Sequence, residues 1–196
     1  MAKASKQWLR RHVTDPYVRK ARAQGYRSRA AFKLLEINEK EKLLKPGSVV
    51  VDLGAAPGSW SQVAAERVRP GGRVIAIDLL PVVPISGVAI LRGDFREQTL
   101  NEKADVVLCD VSPNLSGIAE VDQARLAELA FAAIDFCRNV LKPDGAFLIK
   151  AFHGAAFGEL GARLKKSFAK VKVLKPQASR GESRETYVVA RGLLAL

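Results

Sequence analysis

The sequence is poor in cysteine and histidine, and each shortage excludes a class of protein. Its 196 residues contain two cysteines and two histidines, and His12 and His153 stand far apart. Two cysteines without a repeated spacing provide no disulfide framework, so we expect Cys109 and Cys137 to be buried thiols of a reducing compartment. Neither residue type recurs at the spacing of metal ligands, so we expect no metal site.

Membrane and secretion signals are also missing. No stretch of the chain approaches the roughly 18 consecutive apolar residues that a membrane-spanning helix needs. The opening residues, MAKASKQWLRRHVTD, lack the apolar core of a secretory signal. We therefore expect a cytoplasmic protein without a membrane span. Because 48% of the residues are hydrophobic, the chain has enough apolar residues for one globular domain with a substantial core.

Positive charge is abundant and unevenly distributed. The formal net charge is +12; residues 1–33 hold ten Lys or Arg and one acid, and residues 163–184 hold eight and one. Residues 34–162 hold 13 basic and 17 acidic residues. Basic clusters attract polyphosphate backbones, so this segregation favours contact with RNA, DNA or the ribosome. Solvated helix faces and an anionic membrane surface are the alternatives.

Apolar strands alternate with amphipathic helices along most of the chain. The pattern predicts helices over residues 28–42, 60–69, 122–141 and 156–168, the first with Ser28 as its N-cap and ended by KPG at 45–47. It predicts strands over residues 48–54, 73–79, 88–91, 104–110, 146–152, 170–174 and 185–191.

This order of elements predicts the α/β fold class. Strands that alternate with helices form a doubly wound parallel sheet with right-handed crossovers. The last two strands have no helix between them, so we expect a hairpin that places one antiparallel strand in a mostly parallel, seven-stranded sheet. We expect a basic N-terminal arm over residues 1–27 and a single domain over residues 28–196.

The stretch VVVDLGAAPGSW, residues 49–60, ends a buried strand with an acid and a loop of small residues. Ligands of doubly wound sheets bind beyond the carboxyl ends of the strands, and such a loop lets a ligand approach the backbone. Asp78 ends the second strand 20 residues after Gly58, where a carboxylate usually binds ribose hydroxyls. Asp94 follows the third strand and is placed to bind an adenine amino group.

The loop spacing distinguishes between nucleoside cofactors. A dinucleotide loop has the pattern G-x-G-x-x-G, whereas Gly54 and Gly58 form G-x-x-x-G around a proline. Asp52, just before the loop, would repel a pyrophosphate but suits S-adenosylmethionine, which carries a sulfonium and an ammonium. We therefore expect S-adenosylmethionine, the alternative being a tight turn without a ligand. Asp52 either faces the cationic ligand or supports the loop through hydrogen bonds.

Two charged residues lie beside this loop at the carboxyl ends of neighbouring strands. Lys150 interrupts the apolar strand LIKAF, and Asp110 ends the strand ADVVLCD. A lysine among apolar residues is costly unless it is paired, so the two residues should be neighbours. The pair is either a structural salt bridge or a base or orienting group beside a methyl donor.

Taken together, these motifs resemble the FtsJ family of ribosomal RNA 2′-O-methyltransferases. The resemblance covers DLGAAPGSWSQ, DLLP, GDFR, CDVSPN, LIKAF and SRGESRETY, in order, and YRSRAAFKL resembles the start of the family's first core helix. It implies a Rossmann-like, S-adenosylmethionine-dependent methyltransferase that modifies a uridine in 23S ribosomal RNA of the large (50S) subunit. It implies a catalytic tetrad of Lys33, Asp110, Lys150 and Glu185. It also implies cofactor contacts at Gly58, Trp60, Asp78, Asp94 and Asp110.

Two features depart from the family pattern. Ser59 stands where many relatives have a second glycine, which reduces the freedom of the loop. The segment EQTLNEKAD between the third and fourth strands is short, so we expect the helix there to be reduced to a turn.

Such a tetrad suits 2′-O-methylation on chemical grounds. A ribose hydroxyl is a weak acid and must lose its proton as the methyl group transfers. Desolvation and a second cation help a lysine to accept a proton, whereas nearby acids oppose this and serve orientation. We assign Lys150 as the base or hydroxyl-steering group, Lys33 and Glu185 as positioning groups, and Asp110 as the link to the cofactor.

The basic segments would hold RNA outside the pocket of a monomeric enzyme. Phosphate contacts are expected from Lys3, Lys6, Arg10, Arg11, Arg19, Lys20, Arg22, Arg180 and Arg184. Trp8 and Tyr17 either stack on bases or pack on the domain. Two other functions stay open, a non-catalytic ribosome-assembly module with a retained cofactor pocket and methylation of another RNA such as tRNA.

Base methylation is disfavoured by the residues after the fourth strand. Amino methyltransferases of adenine tend to show [D/N]-P-P-[Y/F] there, whereas this chain has CDVSPN without an aromatic residue. Methylation of a cytosine carbon needs a cysteine nucleophile, commonly after proline, and Cys109 instead follows Leu108 within the strand.

Overall fold

The computed structural model describes residues 14–113, 116–154, 156–179 and 183–195. Their helices are α1 (Pro16–Ala23), α2 (Ala30–Glu41), α3 (Ser59–Arg67), α4 (Ala119–Val140), α5 (Phe157–Ser167) and a 3₁₀ turn (Phe95–Glu97). Their strands are β1 (Val49–Leu53), β2 (Arg73–Asp78), β3 (Val88–Arg92), β4 (Ala104–Cys109), β5 (Leu141–Phe152), β6 (Phe168–Leu174) and β7 (Glu185–Leu193). Every predicted helix and strand is present, and the short 3₁₀ turn stands where a reduced helix was expected.

The strands form one seven-stranded sheet in the order β3-β2-β1-β4-β5-β7-β6. Strand β7 runs antiparallel to both β5 and β6, and the other neighbouring pairs are parallel. The predicted mostly parallel sheet with one antiparallel strand is therefore confirmed. The strand order reverses between β1 and β4, which is where ligands of such sheets bind.

Both faces of the sheet are covered, which explains why its central strands are almost continuously apolar. Val51 and Phe147 pack on one face with residues of α4 and α5. Val50 and Leu148 pack on the opposite face with residues of α2 and α3. Cys109 and Cys137 are both buried free thiols, as predicted.

Several element ends differ from the prediction. Helix α2 ends at Glu41 and not at KPG, because Lys42 adopts a left-handed conformation (φ 50°) and its N–H bonds the Asn38 carbonyl. Its N-cap is Arg29, although the Ser28 hydroxyl still accepts the Ala30 N–H at 3.2 Å. Helix α4 begins earlier than expected, at Ala119.

Strand β5 also starts earlier than the sequence predicts. Leu141 pairs with Ala104, and the pairing then resumes at Ala146 opposite Val106. The KPDG residues therefore form a bulge inside the strand instead of a separate turn, because the chain enters the sheet directly from α4.

Helix α1 lies within the predicted N-terminal arm. Asp15 caps it by accepting the Tyr17 N–H at 3.0 Å, and Val18 and Ala21 are buried. The Tyr17 ring centre lies 5.5 Å from that of Phe32, so α1 packs on α2. Among the helices of the described ranges, none is both long and apolar enough to span a bilayer.

Candidate active site

The loop between β1 and α3 brings backbone unusually close to neighbouring elements. Gly54 (φ 72°) and Gly58 (φ 108°) are both left-handed, a conformation that side chains disfavour. A Cβ atom at Gly54 would lie 2.8 Å from the Cα of Val111, and one at Gly58 would lie 2.8 Å from the Arg27 guanidinium. Gly54 is therefore required by packing as well as by conformation, whereas Gly58, which faces the ends of flexible side chains, is favoured by its conformation.

Arg27 fixes this loop from outside. Its guanidinium donates hydrogen bonds to the carbonyls of Pro57 at 2.8 Å, Val83 at 2.7 Å and Pro84 at 2.9 Å. Its backbone N–H donates to the side chain of Gln62 in α3 at 2.9 Å. Arg27 thus joins the loop, the β2–β3 connection and α3, a role that the sequence analysis missed.

Asp52 is completely buried beneath the loop. Its Oδ2 accepts the Ser61 hydroxyl at 2.6 Å, and its Oδ1 has no hydrogen-bond partner among the described residues. Burial raises the pKa of Asp52 to about 7, and the charges of Asp110 and Asp78 add to this effect. Of the two roles left open for Asp52, the bond to α3 favours support of the loop.

Two adjoining cavities open beside the loop. The larger, about 360 Å³, is lined by Asp78, Asp94 and the residues after β4. The smaller, about 170 Å³, is lined by Trp60 and the loop itself. Both are bordered by Asp110, so an elongated ligand lying through them would pass this carboxylate.

The acids at the ends of β2 and β3 already bind nearby groups. Asp78 accepts the N–H groups of Ala56 and Leu80, each at 2.8 Å. Asp94 accepts the Arg96 N–H at 2.9 Å and pairs with its guanidinium. The hydrogen bonds from Arg96 hold the pKa of Asp94 below its ordinary value despite partial burial. Arg96 also lines the larger cavity, and the sequence analysis missed it.

Trp60 lines the smaller cavity from within the core. The side chain is 2% exposed, and its Nε1–H donates to the Ala30 carbonyl at 2.8 Å. Its ring centre lies 5.8 Å from that of Tyr187. The indole therefore connects α3 to α2, and its N–H is already used by the Ala30 carbonyl, which leaves the backbone N–H of Trp60 at the helix start for a ligand.

The four residues of the predicted tetrad meet as two ion pairs. Lys33 Nζ lies 2.6 Å from Glu185 Oε1, and Lys150 Nζ lies 3.1 Å from Asp110 Oδ1. All four side chains are at most 20% exposed. Lys33 comes from α2, Asp110 follows β4, Lys150 is in β5 and Glu185 begins β7, so the sheet and one helix bring together residues distant in sequence.

Lys150 has three acceptors for its three ammonium protons. Besides the Asp110 carboxylate, Nζ donates to the Asp110 carbonyl at 2.8 Å and to the Ser112 hydroxyl at 3.0 Å. This is the arrangement of a charged, oriented ammonium. Ser112 is a further site residue that the sequence analysis missed.

Tyr187 connects the two ion pairs. It lies opposite Lys150 in the β5–β7 ladder, and its hydroxyl is 3.4 Å from Asp110 Oδ1. Lys33 Nζ lies 5.8 Å from the centre of its ring. Burial raises the pKa of Tyr187 far above its ordinary value, so its hydroxyl stays protonated. Its spacing of two residues from Glu185 in a strand was the signal for it.

Glu185 is held in its ionised form. Burial raises the pKa of Glu185. The Lys33 ammonium, with smaller contributions from Lys150 and Ser179, lowers this pKa by more than burial raises it, so the pKa lies below its ordinary value. The Ser179 hydroxyl donates to Oε1 at 3.1 Å. Glu36 of α2 in turn accepts the N–H groups of Gln177 at 2.6 Å and Ala178 at 3.1 Å. Helix α2 therefore fixes the loop that carries Ser179.

The predicted RNA contacts are only partly within the described ranges. Lys3, Lys6, Trp8, Arg10, Arg11 and Arg180 lie outside the described residues. Arg19, Lys20, Arg22 and Arg184 are exposed. Tyr17 packs on Phe32, and its hydroxyl donates to Glu36 at 3.3 Å, which favours packing over base stacking for this residue.

Comparison with known proteins identifies close sequence relatives. A family model described as FtsJ-like methyltransferase matches residues 26–193. A protein of Bordetella petrii named ribosomal RNA large subunit methyltransferase E is 48% identical over 205 residues, covering 97% of each chain. A protein of the same name from Methylobacillus flagellatus is 51% identical over 194 residues, covering 94% of each chain.

Solved structures share the fold. A crystal structure described as a Plasmodium falciparum ribosomal RNA methyltransferase has a TM-score of 0.78 at 28% identity, covering 87% of this chain and 100% of that one. Aeropyrum pernix fibrillarin, crystallised with S-adenosylmethionine, has a TM-score of 0.59 at 16% identity, covering 82% and 73%. The predicted Rossmann-like methyltransferase fold is therefore confirmed.

Proposed function

Because the chain belongs to the family of FtsJ-like methyltransferases, we propose that it methylates the ribose 2′-oxygen of a uridine in 23S ribosomal RNA of the large (50S) subunit. Membership of the family confirms the predicted enzyme class, a methyltransferase. The names of the relatives support the large-subunit RNA as substrate. The observation that carries the proposal is the pair of lysine–carboxylate contacts beside the cofactor cavities.

S-adenosylmethionine is the methyl donor, as predicted. When bound, it supplies an electrophilic methyl group on a positively charged sulfur. The adjoining cavities suit its elongated shape, and the acids around them suit its hydroxyl, amino and cationic groups. We assign the ribose hydroxyls to Asp78, the adenine amino group to Asp94, the amino-acid part to the backbone at Gly58 and Trp60, and the region of the sulfur to Asp110.

The tetrad would position and activate the ribose hydroxyl. The Lys150 ammonium, oriented by Asp110 and Ser112, steers the 2′-oxygen and stabilises its developing negative charge. Lys33 and Glu185 place the ribose, and the Tyr187 hydroxyl keeps the Asp110 carboxylate in position. The bound cofactor would supply the methyl group, and the 2′-hydroxyl would lose its proton to solvent water as its oxygen gains the methyl carbon. Holding the reactants in line supplies much of the rate.

Cytosine carbon methylation does not fit the geometry. Such an enzyme attacks the base with a cysteine thiolate, and burial raises the pKa of Cys109 to about 12. Cys109 is 3% exposed and packs in the core below the site. Its thiol is therefore neither ionised nor accessible to a base.

The exposed basic residues support an RNA partner. We propose that residues 1–27 act as a basic arm and residues 28–196 as the methyltransferase domain of a cytoplasmic monomer. Arg19, Lys20 and Arg22 on α1 and Arg184 before β7 are exposed to solvent, where they can contact phosphates. Such contacts position an RNA without reading its sequence, which leaves selection of the nucleotide to the site.

The test is transfer of radiolabelled methyl groups to large ribosomal subunits that lack their modifications, with naked ribosomal RNA and tRNA as parallel substrates. The wild type should label a uridine ribose of the subunit RNA. Lys150→Ala should abolish labelling while cofactor binding, measured by calorimetry, is retained. Cofactor binding without labelling of any RNA would favour an assembly factor, and labelling of tRNA alone would replace the proposed substrate.

A further inference from the structure

A third cavity lies on the opposite side of Lys150 from Tyr187. It measures about 50 Å³ and opens between the first half of α4 and the start of α5. Its walls are mostly apolar and include Leu126, Ala127 and Phe157. Nothing in the cofactor site or the tetrad accounts for this space.

The cavity borders the reaction centre directly. Lys150 forms part of its wall, and Phe152, whose ring centre lies 5.8 Å from Lys150 Nζ, forms another part. Val111 and Leu129 line both this cavity and the larger cofactor cavity, so the two spaces share a wall. A nucleotide whose 2′-oxygen is held by Lys150 would therefore reach the cavity with its own base.

Two other directions around Lys150 already have an assigned use. The cofactor cavity lies on the side of Asp110. On the α2 side, Tyr187 is fully buried and packs against Trp60. Because a base is attached to the carbon next to the one that bears the 2′-oxygen, it must lie beside whatever group holds that oxygen. The cavity between α4 and α5 has Lys150 in its wall and is therefore a candidate place for the base.

The cavity has the chemistry of a site for an extruded base. Enzymes that act on flipped nucleotides place the base between apolar or aromatic side chains and read its edge through hydrogen bonds. Phe157 supplies an aromatic face, and the His153 ring lies 4.5 Å from it between ring centres. The Gln123 amide lines the cavity and makes no hydrogen bond to any described residue.

The size and the amide favour a pyrimidine. One enclosed water needs about 10–15 Å³ of such volume, so about 50 Å³ corresponds to about four waters, closer to one ring than to two. The Gln123 amide offers one acceptor and two donors, which match the N3–H and a carbonyl oxygen of uracil. A purine would need the walls to move apart.

We propose that the cavity between α4 and α5 binds the pyrimidine base of the target nucleotide, with Gln123 reading its imide edge and Phe157 stacking on its face. The proposal rests on the proposed function, since it takes Lys150 as the group that holds the 2′-oxygen. Under this proposal, the residues on the α4 side of the site select which nucleotide is methylated.

The first test fills the cavity and leaves the cofactor site unchanged. Ala127→Phe, on the cavity side of α4, should lower kcat/KM for undermethylated subunits at least about tenfold, the effect of a misfitted apolar pocket. Ala124→Phe places the same side chain on the exposed side of α4 and should behave as the wild type. Both variants should keep wild-type S-adenosylmethionine affinity and unfolding temperature. Wild-type kcat/KM in Ala127→Phe would overturn the proposal.

The second test removes the amide. Gln123→Leu keeps the shape but loses the hydrogen bonds, so kcat/KM should fall about tenfold on uridine substrates. Because the Gln123 amide can turn to present its acceptor or its donors, the loss should be similar on subunits reconstituted with cytidine at the target. Wild-type kcat/KM in Gln123→Leu would contradict a reading role for Gln123.

The third test locates the bound base in the wild-type protein, so its result does not depend on whether a variant folds. Subunit RNA with 4-thiouridine at the target is irradiated with the protein, and the crosslinked peptide is identified by mass spectrometry. Crosslinks within residues 123–127 or 152–157 are expected, and crosslinks confined to other segments would overturn the proposal. If the wild type did not methylate the subunit at all, the proposed function would be overturned instead. That result comes from the wild-type protein alone, so it can be told apart from a failure of the base-site proposal.

Discussion

On the cofactor side of the site, carboxylates bind backbone N–H groups, whereas on the reaction side each carboxylate is paired with a buried lysine. Asp78 accepts two backbone N–H groups, and Asp94 is bound by Arg96 two residues away. Glu185 is paired with Lys33, from the opposite end of the chain. Asp78 keeps lone pairs for a ligand, whereas Arg96 already occupies both oxygens of Asp94. The carboxylates of the reaction side orient ammonium groups.

This difference predicts which property each side of the site controls, cofactor affinity or the rate of methyl transfer. Substitutions on the cofactor side should alter affinity for S-adenosylmethionine, because the carboxylates there are the ones we propose to bind the ligand directly. Substitutions on the reaction side should alter the rate of transfer, because the carboxylates there act through lysines. Asp110 belongs to both regions, since it borders both cofactor cavities and pairs with Lys150.

Asp110→Asn should have the largest effect. Because Asp110 belongs to both regions, this variant should lose both transfer rate and cofactor affinity. The loss of a charge that orients Lys150 is expected to slow methyl transfer about 100- to 1,000-fold. Affinity for S-adenosylmethionine should fall in the same variant. Single-turnover labelling and calorimetry measure the two effects.

Asp105 provides the matched control for this prediction. It lies in β4, the strand that Asp110 follows, and pairs with Lys142 at 2.6 Å, away from the cavities. Asp105→Asn should leave both rate and affinity close to wild type. If Asp110→Asn lowered only one of the two quantities, Asp110 would belong to a single region.

Asp52→Asn should change how stability depends on pH. The pKa of Asp52 is raised to about 7 in the folded state from 3.8, so the folded protein retains a proton that the unfolded chain loses. Stability from this group is complete below the lower value and is lost as pH rises through the higher one. Between pH 5 and 7 it should fall by about 1.4 kcal/mol per pH unit.

Denaturant unfolding at pH 5, 6 and 7 tests this prediction, because other titrating groups are common to both proteins. The wild type should lose stability relative to Asp52→Asn over that range. Parallel curves for the two proteins would mean that the Asp52 carboxyl is not buried uncharged beneath the loop.

Asp78→Asn should weaken cofactor binding and leave the chemistry intact. Loss of a charged acceptor for the ribose hydroxyls should raise the Kd for S-adenosylmethionine about tenfold, the equivalent of about 1.4 kcal/mol. The transfer rate at saturating cofactor should be that of the wild type. Glu102→Gln, at an exposed ion pair with Arg73, is the control for charge loss. A lowered saturated rate would place Asp78 in the reaction region.

Ser179→Ala should have the smallest effect. It should change the rate of methyl transfer only, which is the property of the reaction side. The variant loses one hydrogen bond to Glu185, worth about 1 kcal/mol, so transfer should slow about fivefold with cofactor affinity unchanged. Ser86→Ala, which removes a hydroxyl bound by Arg69 at 3.2 Å, should have no effect on transfer. Weaker cofactor binding in Ser179→Ala would mean that the two regions are not separable.

The fold and the main chemistry were accessible from the sequence because they are expressed locally. Apolar strand runs, the small-residue loop and the acids at strand ends each lie within a few consecutive residues. The ends of α2 and β5 were predicted wrongly, because a left-handed Lys42 and a bulge after Leu141 are consequences of neighbouring structure. Arg27 and Tyr187 were missed because their partners lie on other elements.

By itself, the sequence determined the order of strands and helices and the nature of the cofactor, and its family resemblance predicted which four residues would form the tetrad. The positions of Lys150 and Asp110 at neighbouring strand ends already predicted their pairing. Only the tertiary structure decided that Lys33 pairs with Glu185 and that Asp52 lies beneath the loop without contact to solvent. The physical reason is the distance along the chain over which each effect acts. Apolar periodicity and loop composition act between near neighbours in the chain, whereas burial and ion pairing depend on which elements the folded sheet brings side by side.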